Sequence, residues 1–132
     1  MNQLKQLNDS GERQIYESGA MRDNSVGKGR FDLIPFQAMM RLAKHYEAGA
    51  LKYTPRNFEI GMPISRYLDA AFRHLYKYLA GYSDEDHLSA VAWNIFAIMH
   101  HEYHRKEMQD LPNWQGRESP FIEKENVESL ND

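Results

Sequence analysis

A few groups of side chains have the types and spacing to do chemistry. His87, Asn94 and His101 recur at intervals of seven, which returns to about the same side of a helix, and the small Ala90 and Ala97 share that side. Imidazoles titrate near neutrality and also ligate metals. A polar stripe floored with alanines is either a set of satisfied core polar groups or the wall of a lined pocket. Arg66, Asp69, Arg73 and Lys77 form a second stripe, with His74 beside it. It offers one carboxylate for a cation and three cationic groups for phosphates, or else a solvated face with an Asp69–Arg73 pair at i, i+4. Residues 18–35, SGAMRDNSVGKGRFDLIP, place Gly19, Gly27 and Gly29 among Arg22, Lys28 and Arg30. Such a loop is a solvated turn or an anion site, because glycines admit an anion close to the backbone and the cations reach phosphate oxygens. It lacks the lysine-serine ending of a Walker loop. Asn57 and Phe58 lie in a loop bounded by Pro55 and Pro63. An aromatic beside an amide can stack on a base and hydrogen-bond it, or simply anchor the loop.

The elements that position these groups read as helices. Residues 83–102, SDEDHLSAVAWNIFAIMHHE, open with Ser83 and, three residues on, Asp86, which is the spacing of a capping box. The acids there suit the start of a helix dipole. Leu88, Val91, Ala92, Ile95, Phe96 and Met99 make one broad apolar face, widened by Trp93 and Ile98, so this helix is expected at the buried centre. Ser65 is the expected cap of the preceding helix and Gly81 its end, with Tyr67, Leu68, Ala71, Leu75, Tyr78 and Leu79 on the apolar side. A turn this short between the two forces an antiparallel hairpin, in which the polar stripes can face each other. Pro35 begins a further helix bearing Met39, Leu42, Ala43 and Tyr46, which Gly49 ends or kinks. The expected helices are 36–49, 65–80 and 84–104, in an all-α fold without strands. Residues 1–18 read as a flexible arm with a short helix near residues 3–7, residues 19–108 as a helical nucleotide-binding domain, and residues 109–132 as a tail. Trp114, Phe121 and Ile122 of the tail are expected to pack on a neighbour.

Composition narrows the class. At 132 residues the chain makes one domain with a proper core. It has no cysteine, hence no disulfide and no thiolate chemistry. A net charge of −3 argues against a nucleic-acid binder. No apolar run reaches the roughly 20 residues of a membrane span, and the first residues lack the apolar core of a secretory signal. The expectation is a cytoplasmic protein with neither nucleic acid nor membrane as partner.

Three pieces together carry a resemblance: residues 18–35, residues 49–81 (GALKYTPRNFEIGMPISRYLDAAFRHLYKYLAG) and residues 83–102. In that order they resemble the phage and bacterial dATP/dGTP diphosphohydrolases, a family grouped with the MazG-like all-α nucleoside triphosphate pyrophosphohydrolases. The resemblance spans residues 19–102. It implies a helical core that assembles as a dimer or larger, and cleavage between the α- and β-phosphates of a purine deoxynucleotide with Mg²⁺ or Mn²⁺. The Glu-x-x-Glu and Glu-x-x-Asp pairs by which MazG-like enzymes hold metal are absent here. With that chemistry in view, Asp69 and Asp86 are the foremost candidate metal ligands, followed by Glu47 and Glu85. His74 or His87 is the candidate general base. Arg73, Lys77, Lys28 and Arg30 would neutralise phosphate charge, and Asn57, Phe58 and Asn94 would read base or sugar. A histidine-containing site favours Mn²⁺ over Mg²⁺. The rival readings are a module that sequesters nucleotide without hydrolysing it and a structural module whose polar stripes are oligomer contacts. An HD-type phosphohydrolase fits less well, because the order here is Asp86-His87.

Overall fold

A computed structural model of the chain describes residues 11–123. It divides into two compact units, residues 34–122 and a unit that includes residues 11–33. The expected short helix near residues 3–7 lies outside the described residues.

The helical unit is all-α. Helix α1 (Phe36–Lys52) runs straight through Gly49, one turn further than the sequence pattern indicates. A single turn, α2 (Asn57–Ile60), interrupts what reads as a loop. Helix α3 (Ile64–Leu79) and helix α4 (His87–His104) then form the expected hairpin. Its antiparallel sense is plain from the ring contacts: His74 meets His87 at the turn end, and Tyr67 meets His101 at the far end. Gly81, at φ +87°, stops α3. Its amide donates to the Tyr78 carbonyl and the Tyr82 amide to the Lys77 carbonyl, which satisfies the carbonyls the helix end would leave open.

The caps differ from expectation at both helix starts. Asp86, not Ser83, caps α4, accepting the Ser89 amide at 3.2 Å. The start of α3 is closed from 45 residues away: the Asp110 carboxylate accepts the Ser65 amide at 2.9 Å and also the Ser65 hydroxyl. Ser65 is thus the capped residue and not the cap. Arg105 ties the end of α4 to α2 by donating to the Glu59 carbonyl at 3.0 Å. Beyond it the chain returns over the start of α3, where Trp114 and Ile122 line a small crevice with Ile64 and His101. Trp114 and Ile122 therefore pack on their own chain, whereas Phe121 is exposed.

The buried side of α4 is the polar one. His87, Asn94 and His101 are buried together with Ala90 and Ala97, whereas Ile95, Phe96 and Met99 are exposed. Steric fit explains the choice: the alanines let α3 approach closely enough for Tyr67, 1 % exposed, to lie against the ring of His101, with centroids 4.9 Å apart. The facing wall is Ile64, Tyr67 and Ala71, so the charged stripe of α3 does not meet the polar stripe of α4.

In the other unit two short strands, β1 (Arg13–Ile15) and β2 (Met21–Asp23), pair antiparallel with Gln14 opposite Arg22. These strands are a departure from the strand-free expectation and from a loosely ordered arm. Three residues are too few to display a period of two.

Candidate functional site

A cavity of about 360 Å³ opens between α1, α2 and the α3–α4 hairpin. Its aromatic wall centres on Trp93, whose ring lies 6.1 Å from Tyr46, 6.0 Å from Tyr67 and 6.5 Å from Phe58. Tyr53 adds a further ring and Gly49 a stretch of bare helix. Polar side chains also line the wall, His45 and Thr54 among them. Asn57 and Asn94 are others. The Asn94 amide nitrogen already donates to the Ala90 carbonyl at 2.8 Å, which leaves its carbonyl oxygen for a ligand. Arg66 lies at the wall as well, and its guanidinium also reaches Asp69 at 3.3 Å.

His74 stands at the cavity wall and belongs to a second constellation. Its Nδ1 is 2.9 Å from Nδ1 of His87 and 3.7 Å from Oε1 of Glu85. On the opposite side of the His87 ring, Nε2 lies 2.8 Å from the Asp84 carboxylate. A carboxylate accepts, so Nε2 carries the His87 proton and Nδ1 presents a lone pair. The hydrogen between the two rings therefore sits on His74. Burial holds the His74 imidazole below its ordinary pKa, opposed by Glu85 and reinforced by His87, Arg73 and Lys77. The hydrogen bond from His87 draws the Asp84 carboxyl below the usual range.

The donor set suits a divalent ion. Ligand atoms of His74, Glu85 and His87 all lie within 4.8 Å of one another. Atoms bound to an ion at about 2.1 Å stand roughly 3.0–3.5 Å apart, so small rotations of exposed Glu85 and half-buried His74 suffice. Two imidazoles and one carboxylate suit a borderline transition ion better than Mg²⁺, which prefers oxygen.

The structure thus brings together His74, His87 and Glu85, with Arg73 and Lys77 close enough for their charges to act on His74. Asn57, Phe58 and Asn94 share the cavity. Other candidates are placed elsewhere. Both oxygens of Asp86 accept from Arg41, at 2.6 and 2.8 Å, and this pairing lowers its pKa to about 2. Asp69 is exposed between Arg66 and Arg73. Glu47 is exposed and outside the cluster. In the unit that carries β1 and β2, Lys28 pairs with Asp23 at 3.0 Å, and Arg30 forms a forked pair with Asp32 at 2.8 and 2.9 Å.

Sequence reasoning passed over Asp84 as a partner of His87, and Trp93, Tyr46 and Tyr53 as cavity wall. The i, i+3 interval from Asp84 to His87 was the available signal for the first. The aromatic residues had none, since two helices far apart in sequence, α1 with its end at Tyr53 and α4, supply them.

The family described as dATP/dGTP diphosphohydrolase, N-terminal, matches residues 18–111. No curated protein and no solved structure matches the chain.

Proposed function

Because the chain belongs to the dATP/dGTP diphosphohydrolase family, we propose that it hydrolyses a purine deoxynucleoside triphosphate to the monophosphate and pyrophosphate. The observation that carries this reading is that His74 joins an aromatic cavity of nucleoside size to a cluster fit for a divalent ion. The purine stacks among Trp93, Phe58 and Tyr46. The Asn94 carbonyl accepts from an exocyclic base amine, which adenine carries at C6 and guanine at C2, and Asn57 contributes a second polar contact. From there the triphosphate extends past His74. Arg66, Arg73 and Lys77 neutralise its charge where it grows as pyrophosphate leaves.

Of the two ions the resemblance implies, Mg²⁺ and Mn²⁺, this reading takes Mn²⁺, and His74, Glu85 and His87 are the residues that would hold it. A bound divalent ion polarises phosphate oxygens and makes water a usable nucleophile at neutral pH. Water adds at the α-phosphorus, the bond to the α,β-bridging oxygen breaks, and the water proton passes to solvent. This role makes His74 and His87 ligands and not bases. Arg41 keeps Asp86 in its capping position, which fixes the backbone before His87.

The test is product analysis by ³¹P NMR with dATP, dGTP, dCTP and dTTP and either ion. Pyrophosphate released from the purine nucleotides is expected. Release of single phosphate would overturn the bond assignment, and tight binding of dATP without turnover would establish the sequestering module instead.

A further inference from the structure

We propose that His74, Glu85 and His87 form a resident site for one imidazole-preferring divalent ion of the Mn²⁺, Co²⁺ and Zn²⁺ class, occupied before any nucleotide arrives, with Asp84 as its positioning residue. The ion's use rests on the hydrolase reading, but its binding does not.

Two Nδ1 atoms face each other at 2.9 Å, and only the hydrogen on His74 keeps the lone pairs from opposing. An ion that replaces this hydrogen binds both nitrogens and releases one proton. His87 is the fixed ligand: its side chain is 1 % exposed, and its far nitrogen is held by Asp84. A carboxylate behind a ligating imidazole fixes the tautomer, orients the ring and raises its basicity. Asp84 does all three while remaining outside the ligand set. Glu85 supplies the anionic ligand from the wet side, with its side chain half exposed. These residues come from the second half of α3, the connecting turn and the first residue of α4, and ring contacts join the two helices at both ends and between, so the site needs no substrate to assemble.

Mg²⁺ fits poorly for a stated reason. It takes octahedral oxygen ligands and dehydrates reluctantly, whereas two of three protein ligands here are nitrogen. The positive charges of Arg73 and Lys77 lie near His74 and disfavour an ion held by charge alone. Ligand softness is what remains to attract one.

The test is titration of the full chain with Co²⁺, without nucleotide, followed by visible absorption. A saturable spectrum at a single ion per chain is expected, abolished by equal Zn²⁺ and untouched by equal Mg²⁺. His74→Ala should remove it. Glu85→Gln should remove or sharply weaken it, and because Glu85 is half exposed this variant keeps its fold. Asp84→Asn should weaken binding about 10- to 100-fold. The site is overturned if wild type gives no spectrum, if the spectrum survives in both His74→Ala and Glu85→Gln, or if Mg²⁺ competes on equal terms. Ion binding without any pyrophosphate release would sink the hydrolase reading alone. Hydrolysis with Mg²⁺ and no Co²⁺ site would sink this one alone.

Discussion

Two exposed carboxylates, Asp69 and Glu85, show how surroundings assign roles. Asp69 lies 2.8 Å from Arg73 and 3.3 Å from Arg66 with most of its side chain in water. Asp69→Asn should therefore change stability by less than about 1 kcal/mol in urea unfolding and leave pyrophosphate release standing. Glu85→Gln, at a residue equally near the surface, should lower turnover by orders of magnitude. The opposite pattern would return the metal to Asp69. His101 allows a separate test at this scale. It is fully buried, accepts the Met62 amide on Nε2 at 3.3 Å, and is held by burial below the ordinary imidazole pKa. The groups around it are His100, Arg105 and Glu107, with Lys106, Arg117 and Glu118 along the crevice. An unfolded chain takes up a proton near pH 6.5 that the folded chain refuses, so stability is full above that pH and falls as pH drops. The slope is up to about 1.4 kcal/mol per pH unit for each such group. His45 and His100 are depressed by burial in the same sense. His101→Gln keeps an acceptor for Met62 and removes one titration. Its unfolding midpoint should fall less between about pH 7.5 and about pH 5 than that of wild type.

At the scale of elements, α4 is where a sequence pattern was legible as a unit and misleading in direction. The seven-residue recurrence of His87, Asn94 and His101 with Ala90 and Ala97 marks one face, and that face is real. Hydrophobicity alone assigns burial to Ile95, Phe96 and Met99, but the closest packing partner of a small residue is a neighbouring helix. The buried face was thus chosen by side-chain volume, which alternates less visibly than polarity does. The hairpin itself was legible because Gly81 and the acids after it leave no room for any other connection. The pairing of Arg41 with Asp86 was not, being a contact between residues 45 apart with nothing local to announce it. Two substitutions test these statements. Ala97→Leu should overfill the contact with α3 and cost roughly 1–3 kcal/mol in denaturant unfolding; no change would mean that face is not the packed one. Gly49 lies inside α1 with nothing within 4 Å of where a Cβ would go. Gly49→Ala should stabilise the protein by about 0.5–1 kcal/mol in the same assay, since an interior glycine weakens a helix by that amount.

Among the described residues, Ile95, Phe96, Met99 and Tyr103 on α4 and Phe72, Leu75 and Leu79 on α3 are exposed. Exposed apolar side chains in this number lead us to expect a partner, with a second copy supplying the same residues. Light scattering at micromolar concentration should return at least twice the chain mass, and Phe96→Glu should reduce it to one. A monomeric wild type would refute this. Assembly is what the resemblance implies, and the exposed apolar residues of one copy are in keeping with it. The capping of α3 by Asp110 has a bearing on synthesis. The first turn of α3 is made early and closed by a residue that leaves the ribosome 45 positions later. Until then the amide of Ser65 has only water to bond, and the start of the hairpin can fray. The start of α3 is thus made before the residue that closes it, and Trp114 and Ile122 reach the same place later still.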